Sequence, residues 1–147
     1  MSMSTDCYYG FGFCANSIDE DKIIELCRNH KDTLKDLGEE TLIEEIENNK
    51  DFSFSDYEVE AENGWSFSSA TNILANIMSE ETHIHFFVEE NVDGSVFLIF
   101  EAQEPWCYTV EERGLTSEKL LEIYQKYTKE LGFEYKELEY IKVEKFG

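Results

Sequence analysis

Residues 83–102 read HIHFFVEENVDGSVFLIFEA, and this stretch decides the fold class. Two runs rich in Ile, Phe and Val, His83 to Glu90 and Ser95 to Ala102, flank Asp93-Gly94. An Asp-Gly pair between apolar runs predicts a hairpin with a tight turn and positive φ at both central residues. Ile84, Phe86, Phe87 and Val88 then face Val96 to Phe100. Both faces are apolar, which predicts central strands.

Helical patterns lie on either side. Upstream, Ala70, Ile73, Leu74, Ile77 and Met78 recur at i, i+3, i+4, i+7 and i+8 behind a Ser68 or Ser69 cap, predicting a helix to about Ser79. Downstream, Thr116 or Ser117 opens a helix with Leu120, Leu121, Tyr124, Tyr127 and Leu131 inside, closed by Gly132. Pro105 to Gly114 reads as a loop.

Nearer the N-terminus, Tyr8 to Ala15 alternates as a strand. Tyr9, Phe11, Phe13 and Ala15 share one face; Gly10 and Gly12, on the other, admit close approach of a helix or a ligand. Ser17 or Asp19 caps a helix to about His30, a second stretch stops at Gly38, and a third spans Glu39 to Asn48 with Leu42, Ile43 and Ile46 inward. Phe52 to Glu62 and Phe133 to Phe146 read as strands, the latter bulged near Lys136 to Leu138. Helices interleaved with a hairpin predict an α+β fold: a mostly antiparallel or mixed sheet of four to five strands, with helices packed on one side. A length of 147 residues with 41% hydrophobic and 14% aromatic content predicts one domain, residues 1–147, able to bury a core.

Charge carries the functional expectation. The formal net charge is −21, from 33 acids and 12 bases. From Asp36 to Glu112 stand twenty acids and one base, Lys50, whereas Arg113 to Gly147 is neutral with seven of each. Ten of the twelve bases are Lys, and a neutral C-terminal third does not match a uniform acidic bias. Self-repulsion on this scale opposes compaction, and far less charge secures solubility. The reading is an acidic surface kept for a basic protein partner.

Asp56, Glu58, Glu60 and Glu62 form a ladder on one strand face, opposite Tyr57, Val59 and Ala61. Their repeat of about 6.6 Å approaches the contour spacing of successive phosphates. A half-buried strand with a wet face produces the same alternation, so the ladder gains meaning only from the regional charge. Glu44, Glu45, Glu89 and Glu90 extend the expected partner surface, with Trp65 and Trp106 as aromatic anchors.

Other constellations are weaker. His83 and His85 share a strand face at a spacing that permits zinc if a third ligand approaches, and no second ligand cluster stands out. Glu134-Tyr135-Lys136 matches a two-residue fragment of metal-dependent nucleases, but a nuclease should not repel its substrate with −21 of charge. Cys27 and His30 are three apart, yet Cys27 lies on the apolar stripe. Four cysteines without a CxxC pair read as free thiols. No metal, cofactor or catalytic residue is expected.

None of these motifs identifies a family. The expectation is a non-enzymatic acidic inhibitor that occupies the nucleic-acid groove of a nuclease or of a CRISPR or restriction effector, by analogy of charge with viral anti-defence proteins such as anti-CRISPRs. An acidic immunity or regulatory partner without mimicry is the alternative, and a small enzyme the third. Direct nucleic-acid binding and membrane insertion are not expected, and the polar N-terminus, without a secretory pattern, points to the cytoplasm.

Overall fold

A computed structural model of the chain describes residues 5–16, 18–54, 69–101 and 110–146. The elements are β1 (Thr5–Cys14), α1 (Glu20–Asn29), α2 (Lys31–Asp36), α3 (Glu40–Asn48), α4 (Ser69–Thr82), β2 (Phe87–Glu90), β3 (Val96–Glu101), α5 (Val110–Arg113), α6 (Ser117–Glu130) and β4 (Glu139–Phe146). The fold is α+β. Its four strands run antiparallel throughout in the order β2-β3-β1-β4.

Two helices start on a predicted capping side chain and two are followed by the expected glycine, whereas Val110–Arg113 is helical inside the stretch expected as a loop and α4 runs past Ser79 to Thr82. Asp19 caps α1 by accepting from the Asp21 N–H at 3.0 Å, and Thr116 caps α6 by accepting from Lys119 N–H at 3.2 Å. Gly38 and Gly132, at φ 77° and 86°, follow α2 and α6. Ile23, Ile24, Leu34, Leu42, Ile46, Ile73, Leu74, Ile77, Met78, Leu120, Tyr124 and Tyr127 meet Phe13, Val88 and Leu98 in one core, so the helices cover the sheet face that carries those three strand residues.

Several expectations are corrected. The turn after β2 has positive φ only at Gly94 (89°); Asp93 keeps an ordinary backbone and its carboxylate accepts from the Ser95 N–H at 2.9 Å. The loop is therefore longer than two residues, closed by Asn91 N–H to Ser95 O at 2.7 Å. Among the described residues only β3 of the hairpin strands is central; β2 lies at the edge and starts at Phe87. Phe52 to Phe54 is not strand, and the rest of the expected acidic strand, 55–62, lies outside the described residues, as do Trp65 and Trp106. The C-terminal strand begins at Glu139, not Phe133. Tyr135 is inserted there instead, donating from its hydroxyl to Gly12 O (2.8 Å) and accepting from the Glu139 N–H (2.9 Å).

The hairpin loop also reaches β4. Val92 N–H donates to Glu144 O at 2.8 Å, and Glu144 N–H to Asn91 Oδ1 at 2.7 Å. The two outer strands are thereby joined at one end.

Neither a helix nor a ligand explains the glycines of β1. A Cβ at Gly12 would lie 1.9 Å from Leu98 O, and one at Gly10 2.5 Å from Phe100 O. The neighbouring strand's own carbonyls fill that space. Gly12→Ala is therefore expected to destabilise the protein by about 1–3 kcal/mol or more. Gly94→Ala, where nothing lies within 4 Å and only the positive φ opposes a side chain, should cost about 1 kcal/mol. Urea denaturation of both variants checks the order.

Candidate functional site

The outward carboxylates concentrate on the α2–α3 pair. Leu34, Leu42 and Ile46 are buried beneath it, with Ile43 half-buried. Glu40, Glu44, Glu45 and Glu47 are thereby turned to solvent. Glu40 near the helix N-terminus suits the dipole, whereas Glu47 near the C-terminus does not; Lys31 on α2 pairs with Glu47. Glu44 and Glu45 are both exposed.

Other acids of the same region turn inward. Glu89, expected on the partner surface, is only 5% exposed. It pairs in register with Phe97, on the sheet face shared by Phe87 and the buried Ile99, opposite the face of Val88 and Leu98 that the helices cover. Glu90 is half-buried. Glu112, on the short α5, is buried and accepts from the His85 N–H at 2.8 Å, with His85 Nδ1 3.2 Å from the same oxygen. This carboxylate satisfies a backbone donor in the irregular segment between α4 and β2.

Glu81, at the C-terminal end of α4, is the third. It accepts from Thr33 Oγ1 (2.5 Å), Tyr127 Oη (2.5 Å) and His30 Nδ1 (2.6 Å), while His30 Nε2 faces Glu130 at 3.1 Å. Burial alone would raise the Glu81 carboxyl, but the hydrogen bonds from Thr33, Tyr127 and His30, and the charge of His30, outweigh it and hold the group below its ordinary 4.5. Burial, followed by the Glu81 hydrogen bond and the charges of Glu81 and Glu130, pushes the Tyr127 phenol well up. The His30–Glu81–Glu130 set has no sequence signature: its members lie 51 and 100 residues apart.

Burial pushes the Cys27 thiol up to about 12, which suppresses the thiolate, and His30 is committed to carboxylates. His83 and His85 do not share a strand face. His83 sits at φ 58° just past α4, and His85 precedes β2. Among the described residues no group of three or more His, Cys, Asp or Glu is placed to hold a metal ion. Glu134 and Lys136 line an open cleft of about 650 Å³ with Gln125, Lys129, Gly132, Phe133 and Tyr135. That described lining offers one carboxylate, whereas metal-assisted phosphodiester cleavage needs several convergent oxygens.

Tyr9 and Tyr140, 44% and 64% exposed, stack across β1 and β4 with ring centroids 6.0 Å apart, and Phe11 meets Tyr140 edge-on at 5.2 Å. Tyr9 continues the face of Phe11 and Phe13 at the exposed end of the alternation.

No helix among the described residues is long and apolar enough to cross a membrane. Comparison with protein-family models, with curated proteins and with solved structures finds no match.

Two variants probe the inward carboxylates. Glu112→Ala should destabilise by about 1–3 kcal/mol, by stranding the His85 N–H. Glu81 titrates at lower pH folded than unfolded, so its contribution is complete above about pH 4.5 and lost as pH falls through the folded value. Thermal melts should show a steeper acid loss below pH 4.5 in the wild type than in Glu81→Gln.

Proposed function

We propose that the chain is an acidic protein-binding inhibitor that occupies the nucleic-acid groove of a basic partner, a nuclease or a CRISPR or restriction effector. The observation that carries this reading is the imbalance between Asp36 and Glu112, twenty acids against one base, part of it displayed as the outward row Glu40, Glu44, Glu45 and Glu47 on α3. Such a surface is costly to stability in isolation and gains back in association. A field of this sign steers a basic target and speeds encounter, and salt screens it. Carboxylates offer the acceptor oxygens that phosphates offer, so lysines and arginines evolved to track a nucleic-acid backbone accept them. Inhibition would be stoichiometric and competitive. The ladder Asp56, Glu58, Glu60 and Glu62 extends the same region in sequence.

A second reading, an acidic immunity or regulatory partner that does not imitate nucleic acid, draws support from the Tyr9–Tyr140 pair. Exposed tyrosines are common anchors of protein interfaces and have no counterpart on a phosphate backbone.

The test uses the tagged chain as bait in host lysate at low salt. The proposal expects capture of a nucleic-acid enzyme that is released by salt and displaced by added DNA or RNA. Glu44→Lys with Glu45→Lys, and separately Glu58→Lys with Glu60→Lys, should weaken that capture by about tenfold or more through slower association. A captured partner indifferent to nucleic acid supports the second reading. Undiminished capture by both folded double reversals overturns the electrostatic model.

A further inference from the structure

We propose that the cleft at the C-terminal end of α6 binds a nucleoside monophosphate, with the phosphate on Lys129 and Lys136 and the base against Phe133. Gln125 and Lys129 stand four residues apart on one face of α6, and the segment from Gly132 to Lys136 completes the described lining of an open space of about 650 Å³. Space of that order suits a ligand of drug size, the class to which a mononucleotide belongs. Gly132 turns the chain at φ 86° and leaves the space open. A Cβ there would sit 3.6 Å from Lys22 Cε, so the stem of a third lysine, from α1, lies over the turn.

The lining is aromatic where it is not charged. Phe133 is half-buried, and its ring meets Phe13 edge-on with centroids 5.6 Å apart, which fixes it while part of it stays in solvent. Any base stacks on such a ring, because every base has a π face. Tyr135 adds only ring carbon, since its hydroxyl is spent on Gly12 O and the Glu139 N–H.

Charge sets the polarity of the ligand. Acids outnumber bases by 33 to 12, yet among the described residues no carboxylate stands at ion-pair distance from Lys22, Lys129 or Lys136. Each ammonium keeps its three donors for an anion. Repulsion from exposed carboxylates elsewhere is screened beyond about 8 Å at physiological ionic strength. Glu134 is the one carboxylate of the described lining. It repels a bare phosphate but accepts from ribose hydroxyls or a base amino group, and the Gln125 amide both donates and accepts. The set therefore fits an anion joined to a ring that carries donors.

The test titrates the isotope-labelled chain with adenosine, guanosine, cytidine and uridine monophosphates, followed by amide NMR, with adenosine and inorganic phosphate as separate arms. At least one mononucleotide should shift the amides of residues 125–136 saturably at millimolar concentration or below. Adenosine and inorganic phosphate should each bind about tenfold or more weakly, because each lacks half of the contacts. Lys129→Gln with Lys136→Gln should weaken the mononucleotide by about tenfold or more, through loss of two charge-assisted bonds. Phe133→Leu, which keeps an apolar side chain beside Phe13, should weaken it as well. Lys126→Gln, a charge change on α6 whose ammonium lies over the Tyr127 ring and outside the described lining, should leave it unchanged. No saturable shift with any of the four mononucleotides overturns the proposal. Equal binding of inorganic phosphate, undiminished binding by the folded double variant, or an equal loss in Lys126→Gln overturns it too. The acidic face of α3 takes no part, so the result is independent of the inhibitor reading.

Discussion

The close approach of β3 to β1 is the constraint on which the rest of the structure depends. Side chains at positions 10 and 12 would collide with the carbonyls of Phe100 and Leu98, so glycine alone admits this pairing. Once β1 is seated, β4 pairs along its other edge, and Phe13 is delivered to the core beside Tyr124, Phe133 and Tyr135 at centroid distances of 5.7, 5.6 and 6.2 Å. Edge-on aromatic contacts of this kind add to simple burial. The same strand's backbone anchors the C-terminal third. Tyr124 donates to Phe11 O and Tyr135 to Gly12 O, giving each buried hydroxyl a partner and tying α6 and the segment after it to the sheet.

Charge works against this compact arrangement, and the fold handles it in two ways. Glu81 and Glu112 are turned inward, where they are satisfied as acceptors for backbone, hydroxyl and imidazole donors. A buried carboxylate is tolerable only with such partners. The acids of α3 stay in water, where each is individually cheap but together they make a field that favours basic company. The cluster around His30 joins these two regimes: an imidazole set between two carboxylates, at the meeting point of three helical segments.

Much of the architecture was legible in the residues. The apolar stripes of α1, α3, α4 and α6, the caps of α1 and α6, the glycines after α2 and α6, and the hairpin around Asp93-Gly94 all follow from local periodicity and turn chemistry. Local signals were less informative where a partner far along the chain decides the outcome. Alternation cannot tell a central strand from an edge strand, so β2 was misplaced. It also cannot tell a wet face from one covered by distant residues, so Glu89 was assigned to the surface. Phe133 to Leu138 carries strand-forming residues, but a tyrosine hydroxyl inserted between β1 and β4 delays the pairing until Glu139. At the candidate site, the outward display of Glu44 and Glu45 was readable from the helical period; the Tyr9–Tyr140 pair and the His30 cluster were not.

The sequence by itself determined the α+β class, the helices other than α5, and the concentration of negative charge in the middle half of the chain. These depend on neighbours within a few residues and on composition. The tertiary structure decided strand order, which acids face water and which become internal acceptors, and the meeting of His30 with two carboxylates 51 and 100 residues away. Those outcomes depend on packing between elements, which periodicity along the chain does not encode.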